Sequence, residues 1–270
     1  MLRVGSEYNT ELQKLVLRIK KDVQALLLPA IEEEAVNYLA DAVGESRHYL
    51  KDGWANRIEA LIDRLRLMYS MPTFNYLASK IASRFVRSAL DFADRKNRGF
   101  GIEVFNGNSA KLNAYLEAAT IQNANLIKSI PRQYLEDVSN TVFAGMRAGV
   151  LPRAIAKELA EKFGVAERRA KFIARDQAAK VNGEITKQRQ LDAGFEYFFW
   201  QDADDSRVRH RHRQIANAET PYGKGVYKWS DLPLSDDGTP IQPGQDFRCR
   251  CVSIPRRTSV VEKYIASKRN

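Results

Sequence analysis

The first half of the chain repeats apolar residues at the three- and four-residue steps that are typical of amphipathic helices. The pattern predicts a long helix from Glu7 to Val43, which Pro29 should bend or split because proline removes a backbone hydrogen bond. A second stretch, from Trp54 to Met68, predicts a second helix. The apolar positions of the first stretch are Leu12, Leu15, Val16, Ile19, Val23, Leu26, Leu27, Ile31, Ala35 and Leu39.

Two more helices are predicted before the middle of the chain. One begins after Pro72, and the other begins at Ser109, breaks near Pro131 and continues to Ala148. Between them, the segment 94–108 mixes charged residues with glycine and asparagine, and it therefore predicts an exposed loop.

A helical hairpin is predicted next. Pro152 suits the first position of a helix, apolar residues follow at four-residue steps, and Gly164 suits the C-terminal cap. A longer helix then runs from Ala166 to Gly194.

After residue 194 the pattern changes to short strands separated by turn-forming residues. The aromatic run 197–200 predicts one strand, and the segments 226–229 and 251–254 predict others. The fold class is therefore mainly α with a C-terminal α+β module. The expected parts are a helical stem (1–149), the C-terminal module (150–255) and a basic tail (256–270).

The charge of the chain is uneven. The net charge is +10, of which residues 1–149 carry +3 and residues 150–270 carry +7. A basic surface favours polyanions, most often nucleic acid, without implying that a base sequence is read. The longest apolar run, 25–31, is far below the roughly 20 residues of a membrane helix. The start of the sequence lacks the apolar core of a signal peptide, so we expect a soluble protein made in the cytoplasm.

The densest group of chemically versatile side chains lies between residues 200 and 251. His210 and His212 are two residues apart, as are Cys249 and Cys251, and this spacing puts both members of a pair on one face only in extended chain. If both segments are extended and adjacent, they offer a Cys₂His₂ set that suits Zn²⁺. The alternative is two reduced, buried thiols beside two histidines in a polar loop. We expect His212, Cys249 and Cys251 to cluster in space in either case.

Four arginines alternate through the same region. If residues 207–213 are extended, one face presents Arg207, Arg209, Arg211 and Arg213. These guanidinium groups would hold phosphate oxygens, which makes them the candidate contacts to nucleic acid. The alternative is that they pair with Asp202, Asp204, Asp205 or water, because surface ion pairs are common.

An enzyme and a sequence-reading DNA-binding protein are two further hypotheses. Asp205 with His212, or a metal with Asp202, would activate water. However, the sequence contains no nucleophile elbow, no HExxH and no phosphate-binding glycine loop, so no catalytic residue is assigned. The segment 153–177 has the order of a helix-turn-helix, but its second helix is longer than a recognition helix, which favours a packing hairpin.

A series of short motifs, each weak alone, is specific in its order and spacing. They include Arg175, Asp176, Gln177, Trp200, Asp205, Arg207, Arg209, His212, Pro243, Gly244, Asp246, Cys249 and Cys251. With this series, residues 150–255 resemble the C-terminal domain of phage Mu F-type minor head proteins, the phage head-morphogenesis family. His210 stands where that family has a residue that is not a ligand. The resemblance therefore leaves His212, Cys249 and Cys251 as the main metal candidates, with Asp205 as a fourth.

The resemblance implies a phage minor head (capsid) protein of the virion rather than an enzyme. Such a protein is associated with the portal vertex and acts in head assembly and in DNA packaging or ejection. The implied partners are the portal protein, the major capsid or scaffold protein, and viral DNA bound without sequence specificity. We expect the helical stem to provide the docking surface, and the host cytoplasm to be the site of assembly. The alternative is a zinc-dependent enzyme that acts on nucleic acid through His212, Cys249 and Cys251.

Overall fold

The structure is a computed structural model that describes residues 2–42, 54–102 and 107–269, with the side chains of 3–33, 54–102 and 107–268. Within these residues the chain forms seven helices and one three-stranded sheet, which confirms the predicted class, mainly α with a C-terminal α+β module. The helices are α1 (Leu2–Ala42), α2 (Trp54–Met68), α3 (Pro72–Gly99), α4 (Ala110–Arg147), α5 (Pro152–Asp192), α6 (His210–Asn217) and α7 (Thr258–Arg269). The strands are β1 (Tyr197–Gln201), β2 (Val226–Lys228) and β3 (Val252–Arg256).

Neither Pro29 nor Pro131 splits its helix. Helix α1 continues through Pro29, and α4 continues through Pro131. Val43 and the side chains of Ala35 and Leu39 lie outside the described residues. None of the helices in the described ranges combines the length and the apolar character needed to cross a membrane.

The predicted helical hairpin is wrong, because α5 runs unbroken from Pro152 to Asp192 and Gly164 lies inside it. The buried positions continue in helical register on both sides of this glycine: Ile155, Leu159, Phe163, Ala166, Ala170 and Ile173. Glycine costs a helix about 1 kcal/mol relative to alanine, whereas each buried apolar side chain contributes up to about 1.5–3 kcal/mol. Burial of the continuous apolar face therefore outweighs the local preference of glycine to end a helix.

The predicted loop 94–108 begins later than expected. Helix α3 extends to Gly99, and both Asp94 and Asn97 lie on its last turns with little or no exposure. Part of the predicted loop, residues 103–106, lies outside the described residues.

The chain divides into two compact units, each made of separate segments. Unit 1 comprises Met1–Glu7, Ser83–Thr120 and Ala174–Asn270, and unit 2 comprises Tyr8–Ala82 and Ile121–Ile173. The sheet, α6 and α7 all belong to unit 1. The boundaries predicted at residues 149 and 255 stay predictions.

Unit 2 is helical, and its buried residues recur at the three- and four-residue steps read from the sequence. Tyr8 donates a hydrogen bond to Asn123 over 3.2 Å, and Tyr69 donates one to the carboxylate of Asp22. The core of this unit includes Leu12, Val16, Ile19, Val23, Leu27, Ile58, Ile62, Leu65, Ile127, Ile130, Val138 and Val142.

In unit 1 the sheet has the order β2-β1-β3, with β1 antiparallel to both neighbours. Alternate residues of a strand face opposite sides. On one side, Phe198 and Trp200 are fully buried in a cluster with Trp229, Cys249 and Cys251, and the Phe198 and Trp229 rings stack 4.0 Å apart. On the other side, Tyr197 packs in a cluster that also contains Val226, Val261 and Ile265. The three predicted strands are confirmed, and the first side of the sheet forms the floor of the candidate site.

Two glycines allow the loop before β3 to lie against helix α5. A Cβ atom at Gly183 would stand 2.6 Å from the carbonyl oxygen of Pro243. A Cβ atom at Gly244, where φ is +90°, would stand 2.7 Å from the carbonyl oxygen of Ala179. Both distances are too short for a side chain, so the approach of the two backbones depends on glycine at both positions.

Candidate functional site

His212 enters the site from helix α6. Arg209 is the extended residue before the helix, and His210 is its first helical residue. Because the segment is helical, side chains two residues apart point in different directions. His212, Ile215 and Ala216 share the buried face, whereas His210 is exposed. The extended conformation on which the row of four arginines depends is therefore absent from residue 210 onward, and His210 is not part of the cluster around His212.

Cys249 and Cys251 lie in the segment that leads into β3. The preceding residue, Arg248, has the left-handed φ of +54°, and its backbone N–H donates to the carboxylate of Asp176 over 3.2 Å. The backbone N–H of Cys249 donates to the carbonyl of Asp246 over 3.0 Å. This turn directs the segment back to the sheet and brings both cysteines to the buried side of β1.

His212, Cys249 and Cys251 come together as predicted. Nδ1 of His212 lies 3.6 Å from Sγ of Cys249 and 3.5 Å from Sγ of Cys251. The three donor atoms all lie within 4.8 Å of one another, and all three side chains are buried. Both cysteines are free thiols rather than a disulfide. The proximity is thus a feature of the fold, while metal binding stays a prediction.

The opposite edge of the imidazole also has a partner. Nε2 of His212 lies 3.3 Å from Oδ2 of Asp246, and the same carboxylate lies 3.3 Å from the guanidinium of Arg209. The ring of Trp200 meets the imidazole edge-on, with the centroids 5.5 Å apart. The ring is therefore fixed between two sulfurs on one side and a carboxylate on the other.

The charges within this cluster are set by its own hydrogen bonds. The pKa of Cys249 falls to about 4, first because the Cys251 thiol donates to it, and then because His212 lies beside it. The pKa of Cys251 rises because its thiol proton is held by Cys249 and because the group is buried. The hydrogen bond with Cys249 raises the pKa of His212. The cluster thus favours a thiolate at Cys249 next to a thiol and an imidazole.

Asp205 has a different role from the fourth ligand that the resemblance suggested. Both of its carboxylate oxygens accept hydrogen bonds from the guanidinium of Arg250, and one also lies 3.0 Å from that of Arg207. Hydrogen bonds from these two arginines hold the pKa of Asp205 well below its usual range. Among the described residues, the group with metal-ligand geometry contains only the histidine and the two cysteines. Asp205 instead forms an ion pair with Arg250, the residue between the two cysteines.

The four alternating arginines do not form a row. Arg207 pairs with Asp205, and Arg213 donates to the backbone carbonyl of Asp205 over 3.1 Å. Arg209 donates to the carbonyl of Phe247 over 2.6 Å in addition to pairing with Asp246. Arg211 donates twice to the carbonyl of Leu234, over 2.9 and 2.7 Å. Each guanidinium group therefore has an intramolecular partner, but of the aspartates that the alternative interpretation named only Asp205 is among these partners, for Arg207 and Arg213.

The motif residues of helix α5 lie near the loop that carries the cysteines, and Asp176 bonds to it directly. Asp176 is buried, forms a 2.8 Å ion pair with Lys180 and accepts the N–H of Arg248. Gln177 is buried beside it, whereas Arg175 is exposed. The loop also contacts α5 through the close approach at Pro243 and Gly244 and through hydrogen bonds of the Gln242 side chain with Lys187 and Glu184.

One ion pair of unit 1 was missed by the sequence reasoning. Arg189 of α5 forms two hydrogen bonds, of 2.8 and 2.9 Å, with the carboxylate of Asp94 on α3. It also donates to the carbonyl of Gly107 and to the side chain of Asn108. The two charged side chains are only 7% and 13% exposed. Their sequence separation of 95 residues left no local signal by which they could have been paired.

Comparison with known proteins supports the resemblance. Residues 136–254 match the family model described as Phage Mu protein F like protein. An uncharacterized protein of Haemophilus influenzae (strain Rd) is 33% identical over 161 residues, which cover 60% of this chain and 34% of that relative. The matched region is thus about a third of the relative's length. No solved structure matches the chain.

The family match defines the class of residues 136–254. The module around the sheet and helix α5 is a phage Mu F-like domain, which confirms the resemblance over residues 136–254. This family is one of bacteriophage head-morphogenesis proteins, which are in general structural. The expectation that this chain is not an enzyme stays a prediction.

Proposed function

We propose that this protein is a minor head protein of a phage particle, associated with the portal vertex, that acts in head assembly and in DNA packaging or ejection. The observation that carries the proposal is the family match over residues 136–254. The proposed location is the head of the virion, reached after assembly in the host cytoplasm. The proposed partners are the portal protein and the major capsid or scaffold protein.

The distribution of exposed apolar side chains supports docking through the helical part of the chain. Large apolar side chains in water cost free energy, and a concentration of them marks surfaces that contact partners. Most of those in the described residues belong to unit 2: Leu17, Leu67, Met71, Tyr76, Ile121, Val150, Leu151 and Val165. Three of them, Leu67, Met71 and Tyr76, lie at the connection between α2 and α3. We propose that this connection forms part of the docking surface.

The test uses a phage whose copy of the gene is replaced by variants of the full chain. Replacing Leu67, Met71 and Tyr76 together by glutamine should lower the copy number of the protein in purified heads at least tenfold. Quantitative mass spectrometry of the particles measures this number. The matched control replaces Leu234 and Val260, exposed apolar residues of unit 1, and should retain normal incorporation. Wild-type protein that is absent from purified heads would contradict the proposed function itself.

Contact with DNA is the second part of the proposal, and the charge of +7 over residues 150–270 supports it. Binding through phosphates alone should be insensitive to sequence and should weaken steeply with salt, because bound counterions are released. Replacing Arg207, Arg209, Arg211 and Arg213 together by glutamine tests whether these side chains contact phosphates. A shallower dependence of log K on log salt would indicate that they do, by about 0.9 for each lost contact. An unchanged slope would restrict them to the intramolecular hydrogen bonds described above.

The burial of the histidine and both cysteines disfavours the alternative of a zinc-dependent enzyme acting on nucleic acid. A catalytic zinc needs an open coordination position that substrate can reach. Incubation of labelled DNA with the protein and added Zn²⁺ or Mg²⁺ tests this alternative. Turnover that disappears in a His212→Ala variant would favour the enzyme.

A further inference from the structure

The three buried donors form a set that a divalent metal ion can join. Nδ1 of His212 and the two cysteine sulfurs lie within 4.8 Å of one another. Ligands at the 2.0–2.3 Å bond lengths of zinc stand about 3.3–3.8 Å apart around a tetrahedral ion. The distances of 3.5 and 3.6 Å from Nδ1 to the sulfurs fall in this range. Only small movements of these side chains would therefore be needed for an ion to enter.

The chemistry of the donors selects the kind of metal. Thiolate and imidazole ligands suit zinc and other borderline or soft ions, whereas Mg²⁺ and Ca²⁺ prefer oxygen ligands. Within the part of the chain that the structure describes, no carboxylate completes an oxygen-rich set, since Asp205 is held by Arg250 and Asp246 lies beyond the far edge of the imidazole. The set therefore points to Zn²⁺.

Asp246 supplies the second feature of a metal site. A ligating histidine commonly donates its other N–H to a carboxylate, which fixes the tautomer and orients the ring. Oδ2 of Asp246 lies 3.3 Å from Nε2 of His212, and the ring presents Nδ1 to both sulfurs. A proton on Nε2 leaves the lone pair of Nδ1 directed at the sulfurs, as metal binding requires.

We propose that this protein binds one Zn²⁺ ion through Nδ1 of His212 and the sulfurs of Cys249 and Cys251, with Asp246 orienting the imidazole. Binding forms two Zn–S bonds and one Zn–N bond, and any proton still held by either thiol passes to solvent. The imidazole stays neutral and keeps its proton on Nε2. Three protein donors leave one position of a tetrahedral ion for a small ligand such as water.

The position of the ion gives it a structural role. His212 belongs to α6, and the two cysteines precede β3, 37 and 39 residues further along the chain. After α6 ends at Asn217, the intervening segment contains only the three-residue strand β2 and is otherwise without helix or strand. The ion would thus tie α6 to the start of β3 and close this long loop over the sheet. Because the site is absent from an unfolded chain, the free energy of binding adds to that of folding.

The experiment uses the full chain, purified without added metal, and does not depend on the proposed role in the phage head. We expect elemental analysis to find about one zinc per chain. Stripping with a chelator should lower the melting temperature, and added Zn²⁺ should restore it. Replacement of zinc by Co²⁺ should produce the intense thiolate-to-cobalt absorption in the near ultraviolet. A protein that retains no zinc, shows no such absorption and melts at the same temperature with and without chelator would overturn the proposal.

Variants assign the ligands. His210→Ala removes the exposed histidine of the same helix and should leave zinc content unchanged, whereas His212→Ala and Cys251→Ser should lose the metal. Asp246→Asn should keep the stoichiometry and weaken affinity about 10- to 100-fold, measured by competition with a chromophoric chelator. This variant keeps the ligands, so it provides a test even if the ligand variants fail to fold. Zinc bound with wild-type affinity by Cys251→Ser, or by Asp246→Asn, would contradict the assignment.

Discussion

The carboxylate of Asp246 meets the imidazole of His212 on the edge that faces away from the sulfurs, with 3.3 Å between Oδ2 and Nε2. The two residues are brought together by a helix and a turn that are far apart in sequence. Asp246 also forms an ion pair with Arg209, the residue immediately before α6. One carboxylate thus fixes both the start of the helix and the orientation of its buried histidine.

The close approach at Gly183 predicts an unusual response to alanine. Within a helix, alanine is normally more stable than glycine by about 1 kcal/mol. At position 183 the added Cβ would stand 2.6 Å from the backbone oxygen of Pro243, so Gly183→Ala should lower the free energy of unfolding by about 1–3 kcal/mol. Urea unfolding monitored by circular dichroism measures the change.

Gly164 in the same helix is the matched control. A Cβ atom added at Gly164 would have the end of the flexible Arg168 side chain as its nearest neighbour, 3.2 Å away. Gly164→Ala should therefore be neutral or stabilising by up to about 1 kcal/mol. Equal effects of the two substitutions would show that the contact with Pro243 does not constrain position 183.

The buried ion pair between Asp94 and Arg189 should contribute far more to the free energy of unfolding than ion pairs on the protein surface do. Asp94→Ala leaves a buried guanidinium without its carboxylate, so we expect a loss of about 3–5 kcal/mol in the free energy of unfolding. The exposed pair of Asp63 and Arg66 is the control, and Asp63→Ala should cost less than about 1 kcal/mol. Chemical denaturation of both variants provides the comparison, and similar losses would refute the difference.

The lowered pKa of Asp205 predicts how the stability of the folded protein changes with pH. Hydrogen bonds from Arg250 and Arg207 lower its pKa in the folded protein, whereas the unfolded chain has a value near 3.9. Its contribution is therefore fully present above the unfolded value and declines as the pH falls through the folded one. The difference in stability between the wild type and Asp205→Asn should be largest near pH 7 and should shrink below about pH 4. A difference that stays constant across this range would contradict the lowered pKa.

The elements that sequence predicts best are those with a strong local pattern. Helix α2 matches its prediction because burial on one side follows directly from the period of the apolar residues, and β1 matches because a run of aromatic residues favours strand. A split at Pro29 (the alternative to a bend), a break at Pro131 and a helix end at Gly164 were predicted from local preference alone. They are absent because buried side chains continue beyond each of these residues, and packing outweighs the cost of one poor helix former.

In the candidate site too, the residue types and their local spacing predict some features, and contacts between distant parts of the sequence determine the others. The types of His212, Cys249 and Cys251 indicate a cluster, and the structure brings them together. His210 lies outside the cluster because helix α6 begins at this residue. The segment 207–213 is too short for its residue pattern to predict this helix. The pairing of Asp205 with Arg250 joins residues that are 45 positions apart, with α6 and β2 between them, and no periodicity encodes it.

The central position of β1 determines what an incomplete chain would expose. Its partner β2 follows closely, but its other partner, β3, begins only at residue 252. A chain released or cut before that point would keep the run Tyr197–Trp200 with one row of backbone N–H and C=O groups unpaired. An unpaired aromatic edge of this kind is a template for strands of other chains. Newly synthesised copies are therefore prone to aggregate until residues 252–256 have emerged from the ribosome and can pair with β1.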